Sequence, residues 1–196
     1  MREIAPGLVH WTAPHPGYEP DPEPGSPADW PEHVGSVLYE APGAAVFIDP
    51  LVPDELWPEL DARVAGSPVV VLTTLKFHGR SRNAVLARYD GVAIGHDAPM
   101  PAGIDALAFP RFGETMYWLP GPAALVPGDR LLGDGAGGVR LCPPSWLDYL
   151  GIDDGVGELR AALQPLLELP VEHVLASHWE PVIGGGLAAL KRALAG

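Results

Sequence analysis

Val69-Val70-Val71-Leu72-Thr73-Thr74-Leu75-Lys76-Phe77-His78-Gly79-Arg80 is the stretch on which the fold turns. Its β-branched and aliphatic opening breaks off into a polar loop. So short an apolar run, without polar alternation, predicts a strand buried on both faces in a sheet covered by helices. In such sheets ligands bind beyond the carboxyl ends of the strands. The loop 74–80 therefore stands where a site is expected.

Upstream, residues 34–39 and 44–48 read as two strands joined at Ala41-Pro42-Gly43, a turn by composition. Pro53-Asp54-Glu55 starts a helix, with Leu56, Leu60 and Val64 as its apolar stripe and Gly66 at its end. Downstream, Ser81 is placed to cap a short helix reaching Tyr89, and residues 91–95 read as a further strand. Strand and helix thus alternate through the middle of the chain, the α/β pattern.

The second half opens with a hairpin, residues 115–119 and 123–126 flanking Pro120-Gly121-Pro122. A second pair, 130–132 and 139–141, flanks a glycine-rich turn. Helices follow at 146–150 and 156–167, the latter with Pro165 as a kink. A short strand at 173–176, a glycine run at 184–186 and a helix at 187–194 close the chain. Residues 8–11 form a first strand. The acidic, proline-rich segment at about 14–31 cannot pair in a ladder, so it reads as a mobile surface loop or as a lid.

Composition narrows the functional classes. A chain of 196 residues fits a single domain, 1–196, and 47% hydrophobic content supports a real core. A net charge of −13 argues against nucleic acid and anionic membranes as partners. The single cysteine, Cys142, allows no internal disulfide. The N-terminus lacks the apolar core of a signal peptide, and no apolar window is long enough to span a bilayer. A cytoplasmic location is expected. Oligomeric state is not readable.

Four segments together point to a family. They are Ile48-Asp49-Pro50, then Val71-Leu72-Thr73 with its loop, then Leu125-Val126-Pro127-Gly128-Asp129, and finally Ser177-His178-Trp179-Glu180-Pro181 before the glycine run and last helix. In this order they resemble the metallo-β-lactamase superfamily over nearly the whole chain. The resemblance implies an α/β fold: a four-layer αββα sandwich of two mixed β-sheets flanked by helices. It also implies one or two metal ions, usually zinc, at the sheet edge.

Carried over position by position, the family's four loop ligands fall on Thr74, Lys76, His78 and Gly79. The next His falls on Glu114, the bridging carboxylate on Asp129 and the last His on His178. A Thr hydroxyl is a poor metal donor, and a Lys ammonium has no lone pair to offer. The first metal position is therefore expected empty, with Lys76 standing in as a fixed cation beside Glu114 and Asp129. His78, Asp129 and His178 remain legitimate ligand types. They could hold one Zn or Fe ion with an open position for water.

The leading expectation is a protein without a cofactor that has lost the two-metal site, a pseudoenzyme or small-molecule binder using the old cleft. The alternatives are a hydrolase with one residual metal, and a protein-interaction domain working through the proline-rich loop. Other candidates are weaker. Cys142 reads as a buried inert thiol, and no nucleophile elbow is present. His10, His15, His33, His96 and His173 show no ligand spacing. Trp179 is expected to line the cleft, while Arg80 and Arg82 either face an anionic substrate or solvate a helix start.

Overall fold

Alternation along each strand builds the layers. The computed structural model describes residues 1–95 and 98–195. One mixed sheet runs in the order β1 (Arg2–Ala5), β2 (Leu8–Pro14), β3 (His33–Ala41), β4 (Ala44–Ile48), β5 (Val69–Leu72) and β6 (Val92–Ala93). Its first four strands are antiparallel neighbours, whereas β4, β5 and β6 are parallel. The second sheet is built from β7 (Asp105–Phe109), β8 (Glu114–Leu119), β9 (Ala124–Val126), β12 (His173–Val174) and β13 (Val182–Ile183). It is mixed too, because β9 and β12 run parallel. Between them in sequence, β10 (Leu131–Gly133) and β11 (Val139–Leu141) form a separate antiparallel pair.

Three apolar layers follow from these strands. Val46, Ile48, Val70 and Leu72 meet Tyr117, Leu119 and Val126 between the sheets. The alternate residues Ala45, Phe47, Val69 and Val71 face outward, where they pack with Leu60 and Val64 of α1 (Trp57–Val64) and Val85 of α2 (Arg82–Tyr89). On the other side Met116, Trp118 and Leu125 pack with Leu159 and Leu163 of α3 (Gly155–Leu163) and Leu190 and Leu194 of α4 (Gly186–Leu194). The result is the expected αββα sandwich. Each fully buried Val or Leu contributes roughly 1.5–3 kcal/mol, and a one-residue slip would turn every such side chain to the wrong layer.

Several elements differ from expectation. β1, β7 and β13 were not foreseen. Residues 146–150 form 3-10 turns at Pro144–Trp146 and Asp148–Leu150 instead of one helix. The helix expected through 167 stops at Leu163 and continues as a 3-10 turn over Gln164–Glu168, since Pro165 cannot donate to the helical ladder. Ser81 does precede α2, but its hydroxyl accepts the Val52 amide at 2.9 Å and caps nothing. Among the described residues no helix is long and apolar enough to cross a membrane.

Candidate functional site

The parallel pairs β4/β5 and β9/β12 send their carboxyl ends to one edge of the sandwich. Asp49 follows β4, the loop 73–80 follows β5, Gly128 to Arg130 follow β9, and Ser177 and His178 follow β12. Asp49 adopts a positive φ of 48°. This turn aims its carboxylate across at the β5 loop. Oδ1 accepts the Thr74 amide at 2.9 Å, and Oδ2 accepts the Thr74 hydroxyl and lies 2.7 Å from His78 Nδ1.

His78 Nε2 then lies 3.1 Å from Asp129 Oδ1, and His178 Nε2 lies 3.2 Å from the same oxygen. Distance alone brings these atoms together; direction does not, because Asp129 Oδ1 is buried and receives no aligned N–H. His178 Nδ1 is likewise buried without a partner.

Charge explains the proton affinities. Burial by itself would lower His78, but Asp129 and Asp49 overcome it and hold the imidazole up at about 9. Burial dominates at His178 and lowers it despite Asp129. Burial would raise Asp129, yet the two imidazoles keep its carboxyl well below the ordinary carboxylate range.

Arg80 braces the site from behind. Nη1 donates to Gly35 O at 2.6 Å and Asp49 O at 3.0 Å, and Nη2 donates to Ser177 Oγ at 3.2 Å. One guanidinium thus joins β3, the end of β4 and the segment carrying His178. Of the two readings of Arg80, the structure supports neither a helix start nor a purely ligand-facing group: it is a tie between loops that also borders the cleft.

A cavity of about 450 Å³ opens over these residues, the size range of small-molecule sites. Trp30 and Trp146 meet the His178 ring edge to face, with centroids 5.7 and 5.5 Å away. Phe77 and Tyr149 stand at the mouth. The proline-rich loop lies across the cleft. Trp146 Nε1 donates to Ser26 O at 3.1 Å, His15 packs on Trp30 at 5.1 Å, and its backbone is tied by His15 N to Glu32 O at 2.8 Å.

The candidates named from sequence therefore separate. His78, Asp129 and His178 converge, their donor atoms all within 4.8 Å of one another. Thr74 is buried beneath them, held by Asp49.

Lys76 corrects the counter-ion expectation. Its side chain is exposed, Nζ sits 4.8 Å from the Phe77 ring centre and 5.3 Å from that of Tyr149, and among the described residues it pairs with neither Glu114 nor Asp129. The turn closed by His78 N on Leu75 O points it outward.

Glu114 is not a cleft residue. Its carboxylate accepts the amides of Gly128, Asp129 and Arg130 at 3.0, 2.7 and 2.9 Å, fixing the loop that carries Asp129. Burial pushes this carboxyl up to about 7, against the pull of Arg130.

Trp179 does not line the cavity. It takes a positive φ of 61° and lies under the Arg140 guanidinium at 4.3 Å. The cleft aromatics are Trp30, Trp146, Phe77 and Tyr149. Of the other histidines, His96 lies outside the described residues. Cys142 is buried, and burial pushes its thiol up to about 11, as expected of an inert cysteine.

Sequence reasoning passed over Asp49, and with it Arg130 and the four cleft aromatics. For Asp49 the parallel pairing of β4 with β5 was the available signal, because it sets the two strand ends side by side.

No family model matches the sequence, and no curated protein matches it. Solved structures do match in fold. A metallo-β-lactamase from Erythrobacter litoralis aligns over 99% of this chain and 93% of its own, with TM-score 0.60 and 14% identity. One from Hirschia baltica aligns over 99% and 95%, with TM-score 0.58 and 14% identity. A metallo-β-lactamase family protein from Thermus thermophilus aligns over 98% and 78%, with TM-score 0.54 and 15% identity.

Proposed function

This chain has a metallo-β-lactamase-like fold, and we propose that it is a hydrolase working with a single metal ion held by His78, Asp129 and His178. The observation that carries the reading is the buried Asp129 Oδ1, near two imidazole nitrogens yet aligned with neither. Groups that only hydrogen-bonded one another would point at one another. Instead the three donor atoms lie within 4.8 Å of one another, with edges of 3.1 and 3.2 Å from Asp129 Oδ1 to the two imidazoles. Bonds of about 2.0–2.2 Å in tetrahedral array give edges of roughly 3.3–3.5 Å.

The donor set also fits: two imidazoles and a carboxylate suit zinc or iron. His78 carries the outer partner that ligating histidines favour, Asp49 Oδ2 at 2.7 Å from Nδ1, which fixes the tautomer. An ion there would supply Lewis acidity and activate water. Asp49 orients His78, Glu114 and the loop amides orient Asp129, and Trp30 and Trp146 keep bulk water off the His178 side. Thr74, Lys76 and Glu114 are each engaged elsewhere, which supports one ion instead of two.

A metal-free small-molecule binder is the second reading. It is favoured by His78 and Arg80 lying among the carboxylates of Asp49 and Asp129, two cations against two anions, a charge arrangement that balances without an ion. Elemental analysis of protein purified without chelator separates the two. About one zinc or iron per chain is expected, together with ester hydrolysis that chelator abolishes. His178→Ala should lose the ion. Protein that stays metal-free after incubation with zinc, iron and manganese overturns the hydrolase reading in favour of the binder.

A further inference from the structure

Among the described residues the large exposed apolar side chains are Phe77, Val92 and Tyr149, and two of these stand together at the mouth of the cleft. Phe77 is 59% exposed and Tyr149 52%, yet their rings meet edge to face at 6.0 Å. Tyr149 is held in place from inside, since Arg130 Nη2 donates to its hydroxyl at 2.7 Å. Exposed aromatic pairs fixed at a pocket rim mark recognition surfaces.

The Lys76 ammonium lies against both rings and has no carboxylate partner among the described residues. Deeper in, Asp129 is the one carboxylate bordering the cavity among the described residues, with Arg80 and Arg130 in the same lining. In a chain of net charge −13 this mouth is locally cationic and aromatic.

We propose that Phe77, Tyr149 and Lys76 form a recognition platform for an aromatic carboxylate, whose ring system enters the slot beside Trp30 and Trp146. The rings offer edges and faces to a flat apolar body, and the ammonium meets the carboxylate at the solvent side. A fused two-ring body fits a cavity of about 450 Å³. The proposal rests on the cleft being the place where substrate binds, and not on the metal.

Isothermal titration with sodium 2-naphthoate tests it, using 2-naphthylmethanol as the neutral analogue. Protein as purified and protein treated with chelator are both titrated, the fold of each confirmed by circular dichroism. Naphthoate should bind in both samples and exceed the alcohol by about fivefold, the scale of one exposed charge pair. Lys76→Met should erase that preference, and Phe77→Ala should weaken both probes by up to about tenfold. Both side chains are exposed, so these variants leave the core untouched.

No naphthoate binding at millimolar concentration overturns the platform, as does an unchanged preference in Lys76→Met. Binding confined to the metal-loaded sample assigns the carboxylate to the ion; that overturns the platform while leaving the hydrolase reading intact. Binding in a protein that never takes up metal supports the platform and removes the hydrolase.

Discussion

Acid should weaken this protein through His10. The imidazole is 5% exposed and its Nε2 has no hydrogen-bond partner. Space around it is tight: a β-carbon placed on Gly35 would lie 2.9 Å from that nitrogen and 2.7 Å from Ala176 O. Burial first, and the charge of Arg2 second, lower His10 from 6.5 to about 4. Below pH 6.5 the unfolded chain takes up a proton that the folded chain refuses until about 4. The stabilisation is therefore complete above pH 6.5 and is lost as pH falls towards 4. A tenfold change in proton affinity corresponds to about 1.4 kcal/mol, so the loss at pH 4 is about 3 kcal/mol. That is a large fraction of a typical stability of 5–15 kcal/mol. The site feels it directly, because Gly35 N donates to Ser177 O at 2.7 Å and Val34 bridges His178 on the adjoining backbone.

Urea denaturation of wild type and His10→Leu at pH 7.5, 6, 5 and 4 is the assay. Between the extremes the wild type should lose about 3 kcal/mol more than the variant. Taking the difference of the two losses cancels the packing cost of the substitution and the titration of the carboxylates. Parallel losses in the two proteins would refute the reasoning.

Two further outcomes concern the loops that carry the site. Gly128→Ala places a β-carbon 2.6 Å from Thr74 Oγ1 and 2.8 Å from Leu75 Cδ2. Overpacking of that kind costs roughly 1–3 kcal/mol, so a lowered melting temperature and weaker zinc binding are expected; a variant matching wild type in both shows that the two loops have room to part. Arg80→Lys keeps the charge but loses the fork that reaches Gly35 O, Asp49 O and Ser177 Oγ. A loss of about 2–4 kcal/mol in denaturant unfolding is expected, and a change below about 0.5 kcal/mol contradicts the tie.

The fold was legible because its signals are local. Val69–Leu72 reads as a buried strand from composition alone, whereas β4 is apolar throughout and only packing assigns Val46 and Ile48 to one layer and Ala45 and Phe47 to the next. The short elements were harder. β6 and β12 were read as longer strands than they are, and β13 was missed; each spans two residues, too few side chains to show a period. The site was legible in residue type at His78, Asp129 and His178, and misread at Lys76, Glu114 and Trp179. Residue type names what a side chain can do, whereas backbone turns decide where it points. Lys76 is carried outward by the turn at Leu75 and His78, and Trp179 by its left-handed backbone.

By itself, then, the sequence determined the buried strands, the alternation of strand and helix and the ligand types in the loops, since apolar runs and residue chemistry act over a few neighbouring positions, while the layer order was implied by the family resemblance. Tertiary structure alone decided the partners. Asp49 reaches His78 across 29 positions, Ser177 nears it across 99, and Trp146 is tied to the proline-rich loop across 120. Contacts of that range follow from how two sheets pack, and no local pattern encodes them.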